Sequence, residues 1–217
     1  MHTDNDRAQA WMPAVRGMVD RGFVFVHINK TGGSSVRAAL GLDGYRHVRA
    51  SELAAFIGER AWKRLTTFST VRNPWDRLVS MYHWRIKTNQ TDLGSGEIGF
   101  SQWLDLCLRN RDSFYIKNPL MLAPQSYWLC DDSGRLLVAK LLRFERLAED
   151  FTRLCFEIGL DAAELPHLKK TERKHYSAYF SERDADLVGR IYRDDINAFG
   201  YRFEREPARG RLPSDFG

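Results

Sequence analysis

F-V-F-V-H-I-N-K-T-G-G-S-S, residues Phe23 to Ser35, is the stretch on which the fold turns. Phe23 to Ile28 is an apolar, β-branched and aromatic run, the pattern of a parallel strand covered on both faces. Thr31-Gly32-Gly33 reads as a tight turn. Ser34 or Ser35 is expected to cap a short helix that runs through Leu40 and stops at Gly41. Further on, T-V-R-N-P-W-D-R-L-V-S-M-Y, Thr70 to Tyr82, repeats the plan: a buried strand from Thr66 to Val71, then a turn, then a helix. Asn73 suits the N-cap, Pro74 the first helical position and Asp76 the capping-box acid. Trp75, Leu78, Val79, Tyr82 and Ile86 form that helix's apolar stripe.

Ser51 is expected to cap a helix carrying Leu53, Ala54, Ile57 and Ala61. Leu136 to Phe144 is a third strand candidate, followed by a helix with Leu147, Phe151, Leu154, Cys155 and Ile158 on one side. Phe100 and Ser101 open another helix through Leu108. Ser181, with Asp184 three residues on, caps a long last helix ending at Gly200. Strands alternating with helices predict an α/β domain with a mostly parallel central sheet flanked by helices, a P-loop-like three-layer arrangement. In such sheets ligands bind beyond the carboxyl ends of the strands, where both turns fall. Residues 1–20 read as an arm with a short lead-in around Trp11 to Val19, 21–206 as the domain and 207–217 as a tail. Lys87 to Gly99, polar and rich in glycine, reads as a mobile loop.

At 217 residues the chain suits one well-packed domain, and its net charge of +5 favours an anionic partner or simply a basic, solvated surface. Cys107, Cys130 and Cys155 are far apart in apolar stretches. They predict buried free thiols and a cytoplasmic, reducing setting rather than a disulfide framework or a metal site. No signal core or membrane-length apolar run is seen, so no transmembrane segment is expected, and the Asn89-Gln90-Thr91 sequon is idle without secretion.

Lys30 to Ser35 offers amide donors at a helix start, a point charge and three hydroxyls, a phosphate cradle in chemical terms. It is not a Walker A loop, because Lys30 precedes the glycines rather than following them. No apolar strand ends in an aspartate to hold magnesium, so an ATP-dependent phosphoryl transferase is disfavoured. Arg72, at the end of the second strand, suits two-pronged phosphate recognition. Ser80 lies two turns into the helix and can meet the same anion. The alternative is that Arg72 pairs with Asp76 and Ser80 fills a packed spot. Arg77 is read as structural.

The two segments together resemble the carbohydrate O-sulfotransferases related to the heparan sulfate 2-O and 6-O enzymes and their bacterial relatives. L-R-F-E-R-L from Leu142, L-P-H-L-K-K-T from Leu165 and Y-R-D-D-I-N-A-F-G-Y-R-F from Tyr192 extend the likeness over nearly the whole chain. The resemblance implies 3′-phosphoadenosine 5′-phosphosulfate as donor, no metal, and a carbohydrate or other hydroxyl as acceptor, with no nucleic acid. It places Lys30, Thr31, Gly32, Gly33, Ser34 and Ser35 on the phosphosulfate and Arg72 and Ser80 on the 3′-phosphate. The basic run holding Lys170, Arg173 and Lys174 closes over the nucleotide in these enzymes. Asn29 replaces their usual proline, which is expected to loosen the turn slightly.

Among six histidines, His47 matches the H-x-x-A-x-x-L context in which relatives carry the catalytic base, and a histidine titrates near neutrality. Lys30 is expected to stabilise the leaving group. His27, on the strand, reads as a packed core residue. Gln125, Tyr127 and Trp128 suit an acceptor groove or a core. Arg85 and Lys87 suit acceptor attraction or solvent exposure. Weighed against the carbohydrate acceptor are a small-molecule, lipid or peptidyl hydroxyl, and a polyanion-binding module without chemistry. Acceptor identity and oligomeric state are not legible.

Overall fold

The computed structural model describes residues 4–45, 47–160, 165 and 173–206. Three parallel strands form its sheet: β1 (Phe23–Val26), β2 (Thr66–Val71) and β3 (Lys140–Arg143), with β2 in the middle. Phe23 stands opposite Thr66, and Phe68 opposite Lys140. All four β1 residues are buried, as expected of a strand covered on both sides. Phe25 and Phe68 stack across the pair, ring centroids 5.1 Å apart.

Helices cover the sheet. α1 (Asp4–Asp20) sets Val15 and Met18 into the sheet core, and Trp11 meets Phe56 edge-on at 5.1 Å. Where an arm with a short lead-in was expected, a helix runs through Pro13. Then come α2 (Gly33–Ala39), α3 (Ala50–Ile57), α4 (Glu59–Trp62) and α5 (Pro74–Lys87). After α5 follow α6 (Phe100–Leu104), α7 (Ser113–Ile116), α8 (Gln125–Leu129), α9 (Leu147–Glu157), α10 (Glu182–Ile191) and α11 (Arg193–Phe199). The predicted stripe of α5, Trp75, Leu78, Val79 and Tyr82, faces a second apolar core with Phe100, Trp103, Leu104 and Val188.

Several boundaries differ from the sequence reading. The third strand is shorter than Leu136–Phe144, because Leu136 forms an antiparallel bridge to Cys130 before the chain joins the sheet. The final helix breaks at Tyr192, whose buried hydroxyl donates to the Leu122 carbonyl at 2.7 Å. The helix from Phe100 changes to a π turn after Leu104. α3 starts one residue before Ser51, and the Glu52 carboxylate accepts from the Arg49 amide at 3.1 Å. Within 87–99, a 3-10 segment from Gln90 to Ser95 is pinned by fully buried Leu93. The caps at Asn73 and Ser181 form as read: Asn73 Oδ1 accepts from the Trp75 amide at 3.1 Å and Ser181 Oγ from the Asp184 amide at 3.2 Å. All three cysteines are free thiols, and burial pushes Cys107 up to about 12.

Candidate active site

Because β1, β2 and β3 are parallel neighbours, their carboxyl ends open on one edge, and each supplies part of a single cluster. After β1 the chain turns sharply. Lys30 sits in the left-handed region at φ 66°, an arrangement that costs a residue with a side chain about 1–2 kcal/mol. Gly32 has φ 86°, and a Cβ there would stand 2.6 Å from Leu147 Cδ2. A Cβ on Gly33 would fall on the His27 imidazole. Both glycines are therefore required by the packing of the turn, whatever else approaches it.

Gly32, not a serine, caps α2; Ser34 and Ser35 lie inside its first turn, half-buried. Thr31 is fully buried. Its Oγ1 donates to the Ile28 carbonyl at 2.9 Å or shares a proton with Thr70 Oγ1 at 2.7 Å. The Thr31 hydroxyl thus ties the turn to β2. Asn29 ties the turn to two other segments. Its Nδ2 donates to the Met121 carbonyl at 2.7 Å, while its own carbonyl and Oδ1 accept from Arg77 at 3.1 and 2.9 Å. Arg77, buried, is structural as read.

At the end of β2, Arg72 is 4% exposed. Its Nε donates to Asp76 Oδ2 at 2.7 Å, and its guanidinium lies 3.8 Å over the Phe144 ring at the end of β3. Gln125 brackets its backbone, accepting from the Arg72 amide and donating to its carbonyl, both at 2.8 Å. Gln125 is therefore a buried clamp and not the wall of a groove. Arg173 reaches the other oxygen of Asp76, so two guanidiniums from distant segments share one carboxylate. Burial by itself would raise the Asp76 carboxyl, but Arg72 and Arg173 outweigh it and hold the group below its ordinary range. Burial in turn pulls Arg72 down from its usual value, against the pull of Asp76. Glu145 stands close by, accepting from the Asn73 amide at 2.8 Å.

The two turns touch. Arg72 Nη1 donates to the Lys30 carbonyl at 3.0 Å. From Arg72, the positions Asp76, Ser80 and Trp84 follow at four-residue steps along one side of α5. The Lys30 ammonium lies 5.4 Å from the Trp84 ring centroid, at the far end of that row. Half-buried Ser80 comes between Asp76 and Trp84 in that row. Lys174 is exposed, and Lys170 lies outside the described residues. Lys87 is exposed, whereas Arg85 is buried and donates to the carbonyls of Tyr115 and Ile116; drawing in an acceptor is not open to it.

His47 stands at the edge of the first turn. Its Nδ1 lies 2.9 Å from the His27 carbonyl oxygen. A carbonyl only accepts, so Nδ1 carries the proton, and in the neutral ring the lone pair lies on Nε2. The ring packs 4.4 Å from that of buried His27 and 5.9 Å from that of buried Trp128. Tyr45, two residues back and fully buried, donates to the Phe25 carbonyl at 2.7 Å, which anchors the loop to β1. Two residues on, Arg49 lies 4.5 Å over the half-exposed Tyr127 ring. Sequence reasoning passed over Arg49, Asp195 and Glu145. Asp195 accepts from the Gln125 and Ser126 amides at 2.7 Å each, and no local pattern marks such a distant cap.

An open cavity of about 570 Å³, lined by Trp75, Phe180, Gly189, Arg190 and Phe203 among others, touches none of these groups. The chemistry of donors and charges, not concavity, locates the site. Among the described residues, no three His, Cys, Asp or Glu side chains cluster as ligands for a metal ion. Among the same residues no helix is long and apolar enough to cross a membrane.

In a parallel α/β sheet, ligands bind beyond the carboxyl ends of the strands, where the cation-bearing turns of this chain lie side by side. The family model described as "Sulfotransferase family" matches residues 19–202, and the chain belongs to that family. No curated protein and no solved structure matches it.

Proposed function

We propose that this sulfotransferase carries a sulfuryl group from 3′-phosphoadenosine 5′-phosphosulfate to a carbohydrate hydroxyl, with His47 as base and Lys30 at the leaving group. The observation that carries the reading is the contact between the turns: Arg72 bonded to the Lys30 carbonyl at 3.0 Å. One ligand with a phosphate at each end suits two cationic turns that lie against each other.

The residues fit such a donor. Lys30, Gly32, Gly33, Ser34, Ser35 and the Thr31 amide hold the phosphosulfate, helped by the first amides of α2, which have no acceptor within the helix. Arg72, Arg173 and Ser80 hold the 3′-phosphate. Asp76 occupies the arginine fork until then, a carboxylate in the place of a stronger anion. The turn is held by the fold itself: Thr31 bonds Thr70 of β2, and the Lys30 carbonyl accepts from Arg72 just beyond it.

His47 Nε2 takes the proton of the acceptor hydroxyl as that oxygen attacks sulfur. The bond between sulfur and the bridging phosphate oxygen breaks, and the departing phosphate gathers negative charge. Lys30 answers that charge, which is largest in the transition state, so its effect falls on the rate more than on ground-state binding. The Lys30 ammonium swings from the Trp84 face to that oxygen.

Transfer of labelled sulfate from the donor onto a panel of glycans and of simple alcohols tests the proposal. Labelling of glycans, lost in Lys30→Ala, is the expected result. Labelling of the alcohols alone overturns the carbohydrate acceptor, and labelling from ATP instead of the sulfated donor overturns the donor.

A further inference from the structure

We propose that Arg49 is the residue that selects the acceptor, by binding an anionic group carried next to the hydroxyl that His47 deprotonates; this rests on the reading of His47 as base. Arg49 lies two residues after His47, as the N-cap of α3 at φ −67° and ψ 147°. Val48 between them is buried in the sheet core, whereas His47 and Arg49 are half-buried and pack on adjacent residues of α8, Trp128 and Tyr127. The base and this cation therefore stand against the same short helix.

Arg49 is held ready. Its Nε donates to the Tyr127 carbonyl at 3.1 Å, and its guanidinium lies 4.5 Å over the Tyr127 ring. Only 24% of the side chain is exposed. The next residue, Trp128, packs against His47, so Tyr127 and Trp128 fix cation and base from one short helix. A guanidinium immobilised in advance loses little freedom when it binds.

What it now meets is weak. Arg49 Nη2 lies 3.5 Å from Asp132 Oδ1, and the Asp132 side chain is 99% exposed. Exposed ion pairs of this kind contribute little, so an incoming carboxylate or sulfate displaces Asp132 at small cost. The planar fork matches such a group two-prongedly. A neutral sugar gains nothing there.

The test uses two acceptors that differ only in charge: an oligosaccharide containing uronic acid, and the same oligosaccharide with its carboxyls reduced to alcohols. The full chain is assayed with the sulfated donor, and binding of adenosine 3′,5′-bisphosphate is measured separately. The wild type is expected to show a KM about ten- to a hundredfold lower for the acidic form, the range set by one charged hydrogen-bond pair. Arg49→Gln removes that preference with nucleotide binding unchanged. Asp132→Asn, at a fully solvated position, lowers KM for the acidic acceptor and leaves the neutral one alone. If Arg49 is only a staple between the loop and α8, Arg49→Gln lowers Tm and affects both acceptors alike, which overturns the proposal. Equal use of both acceptors by the wild type, or use of neither while the bisphosphate still binds, also overturns it. Failure of bisphosphate binding sinks the donor reading instead, and this inference with it.

Discussion

The Nδ1 of His47 and the carbonyl oxygen of His27 are 2.9 Å apart, which makes the backbone at the end of β1 the group that orients the candidate base. The same strand end carries Lys30 three residues later. The proposed base and the proposed leaving-group cation are thus both anchored at one strand end.

His47→Ala is expected to lower kcat by about 10²- to 10⁴-fold, the usual contribution of a positioned base. Affinity for adenosine 3′,5′-bisphosphate stays within about twofold of wild type, because removing a base acts on the transition state and not on donor binding. Single-turnover transfer and calorimetry on the same preparation check both. Full activity in the variant excludes His47 as base.

Thr31→Val separates the hydroxyl of that residue from its amide. The variant loses the bonds to Ile28 and Thr70 in a buried place, at a cost of about 1–3 kcal/mol in urea unfolding. Transfer at saturating donor should survive in the fraction that is folded. A variant of normal stability that binds the donor poorly would place the hydroxyl on the ligand instead.

Asp76→Asn leaves buried Arg72 and half-buried Arg173 with no carboxylate between them, and is expected to destabilise by about 3–5 kcal/mol. The sign with pH follows from the depressed carboxyl. Its stabilisation is complete above the unfolded value of about 3.9 and is lost as pH falls through the lower folded value. Wild-type stability should therefore fall below about pH 4, and this part of the profile should flatten in the variant. Thermal unfolding from pH 2 to 7 reads both.

Gly32→Ala forces a Cβ at φ 86° against Leu147. A loss of about 2 kcal/mol or more is expected, since the left-handed strain and the clash add. Gly22→Ala, at φ 80° with open space around it, carries the strain alone and should cost less. Equal losses would show that Leu147 yields freely.

The first two strands, the turns after them and the caps at Asn73 and Ser181 were legible because each is written locally. The run before Lys30, the Asn73-Pro74 pair and Ser181 with Asp184 state their structure within a few residues. α1 was obscured by Pro13, which argues against a continuous helix until Val15 and Met18 are seen in the core. Arg85 looked like a solvent or acceptor cation because its carbonyl partners lie thirty residues on, at Tyr115 and Ile116. Gln125 was ambiguous for the same reason: its role depends on Arg72 and Asp195, which only the fold brings beside it. Arg49 carried no signal, since nothing in the sequence says that Tyr127 lies beneath it. At the site, then, residue types were readable and their partners were not.

Calorimetric titration of the wild type with adenosine 3′,5′-bisphosphate and with AMP tests most directly whether one ligand spans both turns. The bisphosphate should bind at least about tenfold more tightly, the least that one charge-assisted phosphate contact at Arg72 contributes. Equal affinities, or no binding of either, would contradict a single site built from Lys30 and Arg72.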